Sequence, residues 1–386
     1  MLRRLLLSAL LLAPVALLAQ NQPFIVHDTK PVITHGPYLV DPSETAMTVV
    51  WTTDTPSHAL VRYGESDTLG SEAEAPVYGL LPVGTLHRIR LTGLQPGRTY
   101  DYQVVATRVV RLKAYWPEKG LSVESPIASF TTLDRSAVSV SFSAITDTHE
   151  DVARINALMK LIDWKATDFF VHMGDAFDWV ESETQLFDKW LDPVARGLAQ
   201  QTPLVFVRGN HELRGPFARQ VFDYVPTASG QFYGAFDHGP LHLIVLDSGE
   251  DKDDDTNVYA RLNRVESYRR EEYAWLERHA DTDPRMKDAP FCVVLVHQPD
   301  WGWVDGENAR WTALANRAGV DLVIAGHRHR YQHAAPGELG TTYPILVLDQ
   351  DQIARVEASA TAITVTVRGK DGAVADTFTV SRRSLR

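Results

Sequence analysis

Seven side chains of the types that bind metal ions recur along this chain, each shortly after a short apolar run. They are Asp147, His149, Asp175, Asn210, His297, His327 and His329. The apolar runs cover residues 139–145, 169–173, 204–207, 291–296 and 322–325. Their length and their flanking turn residues predict strands that are buried on both faces. Because ligands of open α/β folds bind beyond the carboxyl ends of such strands, we expect these side chains to meet in one place.

The seven side chains form a nitrogen and oxygen ligand set without cysteine. Such a set suits Mn, Fe or Zn better than it suits copper or an iron–sulfur cluster. Seven ligands are too many for one tetrahedral ion, and they suit two ions about 3.5–4 Å apart. Asp175 is third in the order, and its two oxygens can bridge both ions. A hydroxide held between the ions would be a strong nucleophile at neutral pH, so the ligand set predicts a two-metal hydrolytic site.

The order of these residues resembles a known superfamily. The sequence blocks are Asp147-Thr148-His149, Gly174-Asp175-Ala176-Phe177-Asp178, Gly209-Asn210-His211-Glu212, the lone His297, and Gly326-His327-Arg328-His329. Together they resemble the calcineurin-like metallophosphoesterases, and they span residues 138–333, about half of the chain. The resemblance implies an α/β catalytic domain over residues 137–386, a β-sandwich flanked by helices. Apolar patterns predict its helices at residues 152–164, 183–200 and 268–279.

The resemblance also assigns a role to each ligand. Asp147, His149 and His329 would bind the first metal ion. Asn210, His297 and His327 would bind the second, and Asp175 would bridge the two. The cofactors implied are therefore two divalent or transition metal ions, of Mn, Fe or Zn type.

Two further residues would act on the substrate in this family pattern. His211 would protonate the leaving alkoxide, with Asp178 orienting the ring and holding it cationic. Arg214 follows closely, and two interpretations of it stay open. Its planar fork can clamp a phosphate, or it can equally bridge a surface carboxylate.

Several other candidates have no support from the sequence blocks. His172 lies inside a strand pattern and is interpreted as structural. The acidic run at residues 250–255 lacks the glycine and the terminal glutamate of an EF-hand loop. We therefore expect this run to form a solvated loop.

Residues 31–134 predict an all-β sandwich. Predicted strands cover residues 47–53, 58–63 and 86–91, and the stretch 93–104 follows them, with glycine and proline turns in between. The pattern Leu94-x-Pro96-Gly97-x-x-Tyr100 resembles the tyrosine corner of fibronectin type III-like domains, in which a tyrosine hydroxyl contacts the backbone.

A sandwich that precedes these catalytic blocks resembles the purple acid phosphatases. Those enzymes carry a tyrosine in the second block, where it binds ferric iron and gives the colour. This chain has Asp178 at that position, and it has His149 in the first block. We therefore expect two divalent-type metal ions and a colourless protein.

Residues 1–19 predict a secretory signal peptide. Arg3 and Arg4 precede an apolar stretch over residues 5–18, and Ala19 is a plausible cleavage point. The alternative is a membrane anchor, but the stretch is short for a span of about 20 residues. We expect an exported protein, periplasmic or secreted, with no stable membrane insertion.

The composition limits the kinds of molecule that the protein is expected to bind. Removal of residues 1–19, with two arginines and no acidic residue, would change the formal net charge from −11 to −13. This charge argues against nonspecific binding to nucleic acid or to anionic membranes. The cations of the metal site could still attract a small phosphate ester, which is the expected partner. The sequence predicts a metal-dependent phosphomonoesterase. The alternatives are a phosphodiesterase acting on nucleotides or lipid headgroups, and a non-catalytic surface-binding protein that uses the N-terminal domain.

Overall fold

The structure is a computed structural model that describes residues 24–65, 68–198, 200–302 and 308–382. The predicted signal peptide at residues 1–19 lies outside the described residues. In the ranges that are described, the chain forms two mixed sheets, and helices pack on their outer faces.

The amino-terminal domain consists of strands only. They are β1 (Ile33–Val40), β2 (Ala46–Gly64), β3 (Ser71–Ala73), β4 (Gly84–Thr92), β5 (Thr99–Arg111), β6 (Glu118–Glu124) and β7 (Ala128–Thr131). The sequence predicts two strands where the single long β2 runs. Its first half pairs with β1 and β4, and its second half pairs with β3 and β5. The pairing register shifts between Thr52 and Ser57, so a bulge bends the strand instead of a turn ending it.

The two halves of β2 allow the strands to close on one apolar core. Trp51 and Val61 come from the two halves, and they lie with Tyr102 and Phe130 in a single buried cluster. The predicted tyrosine corner is present, because the hydroxyl oxygen of Tyr100 accepts a hydrogen bond of 3.0 Å from the backbone N–H of Gln95.

The catalytic domain contains the remaining strands. They are β8 (Ser139–Ile145), β9 (Phe169–His172), β10 (Leu204–Phe206), β11 (Gly234–His238), β12 (Leu241–Leu246), β13 (Phe291–Val296), β14 (Leu322–Ala325), β15 (Gln332–Ala334), β16 (Ile345–Val347), β17 (Gln352–Ser359), β18 (Ala362–Gly369) and β19 (Val374–Ser381). All five strands that the sequence predicts before the ligand blocks are present. They are divided between two sheets.

One sheet has the order β19-β18-β17-β8-β9-β10-β1-β2-β5-β6, and β8, β9 and β10 run parallel in it. Val40 of β1 pairs with Leu204 of β10, so the strands of the amino-terminal domain continue the catalytic sheet. The second sheet has the order β11-β12-β13-β14-β16-β15. Phe142, Phe169, Val293 and Ile324 come from both sheets and share one fully buried cluster, which confirms the predicted sandwich.

The helices are α1 (Val152–Met159), α2 (Glu183–Leu186), α3 (Asp192–Leu198), α4 (Val221–Tyr224), α5 (Val265–Thr282), α6 (Arg285–Asp288) and α7 (Asn308–Ala318). The predicted helix at residues 152–164 ends at Met159, and the helix predicted at residues 183–200 contains a π-helical segment, Phe187–Leu191. The sequence did not predict α7. Leu158 and Val194 pack in a cluster on the first sheet, whereas Leu276 and Trp311 pack on the second.

Candidate metal centre

The seven candidate ligands lie at the ends of strands from both sheets. Asp147 and His149 follow β8, Asp175 follows β9 and Asn210 follows β10, whereas His297 follows β13 and His327 and His329 follow β14. Five of the seven have a positive φ: 52° at Asp147, 42° at His149, 52° at Asp175, 72° at His327 and 47° at His329. Residues other than glycine rarely adopt a positive φ, and such backbone strain concentrates at functional sites.

The first group of ligands consists of Asp147, His149, Asp175 and His329. Each offers a nitrogen or carboxylate oxygen atom, and these atoms all lie within 4.8 Å of one another. Nε2 of His329 lies 3.1 Å from Oδ1 of Asp147 and 3.0 Å from Nε2 of His149. Four side chains from three turns therefore converge on one point, as a metal ion requires.

The second group consists of Asp175, His297 and His327, whose candidate ligand atoms also lie within 4.8 Å of one another. Nε2 of His297 lies 3.0 Å from Oδ2 of Asp175, and Oδ1 of Asn210 lies 3.1 Å from Nδ1 of His327. Asp175 belongs to both groups, which is the position that a bridging carboxylate must occupy.

The surroundings leave particular ligand atoms without partners. Oδ2 of Asp147 accepts hydrogen bonds from the Thr146 hydroxyl at 2.7 Å and from the His327 N–H at 2.8 Å. Nδ1 of His297 lies 2.6 Å from the carbonyl oxygen of Met173 and donates to it. Oδ1 of Asp147 and Nε2 of His297 are buried, and neither makes a hydrogen bond of good geometry to any described residue, although His329 and Asp175 lie close to them. Since unsatisfied buried polar atoms are costly, and since a cation would satisfy both, these residues fit a metal centre.

The charges of the site favour a cation at this point. Burial disfavours the imidazolium of His297, but the carboxylates of Asp175 and Asp147 outweigh burial and raise the pKa of His297 to about 10. Burial also opposes the charge of Asp175, yet His297 holds the pKa of this carboxyl well below its usual range. The carboxylate of Asp147, whose Oδ1 lies 3.1 Å from Nε2 of His329, raises the pKa of His329. Positive charge is therefore stabilised in the centre.

Glu212 supports the ligand loops, although the sequence blocks gave it no role. Its carboxylate is fully buried and accepts hydrogen bonds from the backbone N–H groups of Asp175 at 2.9 Å, Ala176 at 2.7 Å and Gly209 at 2.8 Å. Burial, together with the charge of Asp175, raises the pKa of Glu212 to about 7. The residue connects the loop after β9 to the loop after β10, and so fixes Asp175 relative to Asn210.

His211 and Asp178 are in contact, but not in the way that the sequence predicts. Nδ1 of His211 lies 2.7 Å from the backbone carbonyl oxygen of Asp178. The carboxylate of Asp178 contacts His149 instead, with Oδ1 lying 2.9 Å from Nδ1 of that ring. The carbonyl already occupies Nδ1 of His211, so the carboxylate of Asp178 is left to orient a candidate metal ligand.

Arg214 bridges to carboxylates, as one of its two interpretations predicts. Its Nε lies 3.1 Å from Oε2 of Glu250, and its Nη2 lies 2.9 Å from Oδ1 of Asp251. Burial opposes the charge of Arg214, but these carboxylates hold its pKa well above the usual range. Glu250 is fully buried, so the prediction of a solvated loop is wrong at the start of the acidic run. The remaining nitrogen, Nη1, lies 3.0 Å from Nε2 of His211.

His172 lies outside both ligand groups. It is fully buried, and its Nε2 lies 3.1 Å from the hydroxyl oxygen of Thr148. Burial lowers the pKa of His172 to about 3, so the ring is neutral. These contacts agree with its interpretation as a structural residue.

Two family models match the chain. The calcineurin-like phosphoesterase model covers residues 141–331, and the purple acid phosphatase N-terminal domain model covers residues 37–132. The chain belongs to the calcineurin-like phosphoesterases, a family of phosphoric ester hydrolases, and its first domain is of the purple acid phosphatase type. This family implies a dinuclear metal centre.

Known relatives agree with this assignment. Acid phosphatase type 7 of Mus musculus is 24% identical over 353 residues, which cover 82% of this chain and 73% of that protein. Purple acid phosphatase 21 of Arabidopsis thaliana is 24% identical over 316 residues, 75% of this chain and 64% of that protein. The structure of a purple acid phosphatase from yellow lupin seeds superposes with a TM-score of 0.67 at 17% identity, covering 92% of this chain and 74% of that one. The last comparison shows the shared fold.

Among the residues that the structure describes, none of the helices combines the length and the apolar character that crossing a bilayer requires.

Proposed function

We propose that this protein is an exported phosphatase that hydrolyses phosphate monoesters at a two-metal centre. The observation that carries the proposal is the pair of ligand groups that share Asp175. The printed names of the relatives, acid phosphatase and purple acid phosphatase, support a phosphomonoesterase. The substrate is a small phosphate ester, and the metal ions are Mn, Fe or Zn.

The ligands divide between the two ions as their positions suggest. Asp147, His149 and His329 would hold one ion, Asn210, His297 and His327 would hold the other, and Asp175 would contact both. Two bound ions would supply Lewis acidity and lower the pKa of a water molecule between them. The remaining residues fix this geometry, with Glu212 joining the loops and the Asp178 carboxylate orienting His149.

His211 is the candidate proton donor to the leaving group. Its backbone N–H donates to Oδ1 of Asp175 at 3.0 Å, so the residue is held beside the proposed bridging carboxylate. The side chain is about a quarter exposed, at 23%, which allows a substrate to reach it. Arg214 lies against the same ring and would help to position it. Proton donation by His211 would accelerate departure of an alkoxide, which is a poor leaving group.

A comparison of two substrates tests the proposal. Protein purified without chelator is assayed with p-nitrophenyl phosphate and with bis(p-nitrophenyl) phosphate, and kcat/KM is measured for both. We expect the monoester to be preferred. A preference for the diester would identify a phosphodiesterase.

The Asp175→Asn variant serves as the control because it removes the charge of the proposed bridge. Turnover that depends on Asp175 assigns the activity to this centre. If neither ester is turned over by the metal-loaded protein, the chain is a binding protein and the catalytic proposal fails.

Export is tested separately from catalysis. The mature amino terminus of the protein, isolated from the periplasmic and extracellular fractions, is determined by mass spectrometry. We expect it to begin at Gln20. Recovery of the uncleaved chain in a membrane fraction would indicate an anchor instead.

A further inference from the structure

A pocket of about 230 Å³ borders the chain segment that carries Asn210 and His211, although neither residue lines it. Arg208 and Leu213 form one wall, just before and just after those two residues. The residues leading into α5, among them Asn263 and Arg264, form the opposite wall. The pocket is therefore distinct from the metal centre and shares a segment with it.

The pocket is basic in a protein that is acidic as a whole. Its lining includes three arginines, Arg208, Arg219 and Arg264. Within the described ranges of the chain, Arg219 and Arg264 form no ion pair, and Arg264 donates only to backbone carbonyl oxygens. The acidic residue of the lining is Glu212, whose carboxylate accepts from backbone N–H groups in the metal centre. Arg208 is balanced by Asp247, so Arg219 and Arg264 are the lining cations that would attract an anion.

Two lining residues also have buried donors without acceptors. They are Nε of Arg208 and Nδ2 of Asn263, and both atoms lack a hydrogen-bond partner. Buried polar atoms of this kind are uncommon, and an ordered ion or water molecule often explains them. Because both atoms are donors, the missing partner must supply acceptors.

Arg208 is held in place before any ligand binds. Its guanidinium carbon lies 4.3 Å from the ring centre of Phe232 and 5.4 Å from that of Tyr268, and one terminal nitrogen pairs with Asp247. A donor that is already ordered loses little conformational entropy when a ligand binds. The Nε edge of the Arg208 guanidinium can therefore bind a ligand with little loss of conformational entropy.

We propose that this pocket binds a small tetrahedral oxyanion, free sulfate or inorganic phosphate. Arg219 and Arg264 supply the charge, and Arg208 and Asn263 supply fixed N–H donors. The volume of about 230 Å³ accommodates one such ion with several water molecules, each of which occupies about 30 Å³ in the liquid. Binding at this site does not depend on the proposed phosphatase activity.

The test uses the full metal-loaded chain and sodium sulfate as the probe. Sulfate affinity is measured by calorimetry at constant ionic strength, adjusted with sodium chloride. The near-isosteric Asn263→Asp variant places a negative charge in the pocket, and the Arg219→Gln/Arg264→Gln variant removes two positive charges. We expect either change to weaken sulfate binding by about tenfold or more, the effect of losing one hydrogen bond to a charged group.

Two controls separate this pocket from other binding. The Arg261→Gln/Arg278→Gln variant has the same change in net charge at exposed positions that do not line the pocket, and it should bind sulfate like the wild type. Asp175→Asn disrupts the metal centre and should leave pocket binding in place. Equal sulfate affinity in the wild type and in both pocket variants would mean that the pocket holds water alone, and loss of binding in Asp175→Asn would assign the sulfate to the metal centre. Either result overturns the proposal.

A kinetic experiment shows whether the pocket binds a free ion or the second phosphate group of a substrate. The KM values of p-nitrophenyl phosphate and of a sugar bisphosphate are compared in the wild type and in Asn263→Asp. A rise in KM for the bisphosphate alone would place a substrate phosphate in the pocket and would overturn the assignment to a free ion.

Discussion

Nη1 of Arg214 lies 3.0 Å from Nε2 of His211, on the ring edge opposite the carbonyl oxygen of Asp178. A carbonyl oxygen only accepts hydrogen bonds, and a guanidinium only donates them. In this arrangement the ring proton lies on Nδ1, and the lone pair of Nε2 faces Arg214. Arg214 and the carbonyl oxygen of Asp178 therefore hold the ring of His211 between them and fix its orientation.

Arg214 is expected to position His211 rather than to clamp phosphate, because Glu250 and Asp251 already balance its charge. The double variant Arg214→Gln/Glu250→Gln tests this without leaving one buried charge unpaired. We expect kcat to fall by about tenfold to a hundredfold through misplacement of the catalytic group. KM and the inhibition constant of phosphate should stay nearly unchanged, as steady-state kinetics will show. A rise in both constants with kcat unchanged would identify a phosphate clamp.

His211→Ala is expected to lower kcat by roughly 10²–10⁴-fold, the usual size of a general acid–base contribution. Metal content should stay near that of the wild type, because His211 is not a proposed ligand. The loss should shrink for esters with good leaving groups, which need no protonation. A series of aryl and alkyl phosphates, assayed alongside elemental analysis, measures both effects. Equal losses across the series, or loss of metal, would exclude the role of proton donor.

Asp178→Asn is expected to act through His149, since the carboxylate contacts that ring at 2.9 Å. The variant should lower the affinity of the first metal ion by about 10–100-fold, the usual effect of removing a partner that orients a ligand. Competition with a chelator measures this affinity. If Asp178→Asn instead reproduces the leaving-group dependence of His211→Ala with metal affinity intact, its side chain acts on His211.

The sequence predicted the convergence of the ligands because their side chains follow strands directly. To predict where Asp147 and His297 lie, it is enough to know the order of the strands and the turn that follows each one. The division of these strands between two sheets was not predictable in the same way. Whether β13 pairs with β9 or faces it across a core is decided by packing among residues far apart in the sequence, such as Phe169 and Val293.

The residues that surround His211, the candidate acid, also could not be predicted from the sequence. Glu250 lies 36 residues from Arg214, and no local pattern distinguishes a buried carboxylate from its exposed neighbours in an acidic run. The sequence predicts that the carboxylate of Asp178 contacts His211, whereas in the structure its carbonyl oxygen does so. A family pattern identifies a residue at a position, whereas backbone geometry decides whether its carbonyl or its carboxylate reaches the ring.

Elemental analysis of protein purified without chelator is expected to find about two transition metal ions per chain, by the logic of two-metal sites. Asp175→Asn should lower the affinity of both ions, because Asp175 belongs to both ligand groups. His297→Ala should affect mainly one ion, because His297 belongs to the second group. One ion per wild-type chain, or loss of a single ion in Asp175→Asn, would contradict the shared bridge.

The metal-loaded protein is expected to be colourless. The purple enzymes owe their colour to a tyrosine bound to ferric iron, and Asp178 stands at that position here. Its carboxylate contacts His149, so this position now orients a histidine ligand. An absorption spectrum of the protein loaded with iron under oxidising conditions checks the expectation. A visible band that disappears when a tyrosine is replaced by phenylalanine would contradict it.

His87 is expected to make the amino-terminal domain less stable in acid. Its Nε2 lies 2.9 Å from the hydroxyl oxygen of Thr53, and the side chain is 6% exposed. Burial, with a smaller contribution from His58, lowers the pKa of His87 from its usual value of 6.5 to about 4. Below pH 6.5 the unfolded chain takes up a proton that the folded chain refuses. The stabilisation is therefore complete above pH 6.5 and is lost as the pH falls towards 4.

The size of this effect follows from the shift, at about 1.4 kcal/mol for each pH unit, and reaches about 3 kcal/mol at pH 4. Urea unfolding at pH 7.5 and pH 4.5 measures it as a difference in the free energy of unfolding. His87→Gln cannot be protonated, and it should lose less stability on acidification than the wild type. His27→Gln, just before this domain, serves as the control, because the His27 side chain is 37% exposed and contacts Glu118 of β6. If His87→Gln and the wild type lose equal stability between the two pH values, His87 does not contribute to acid sensitivity.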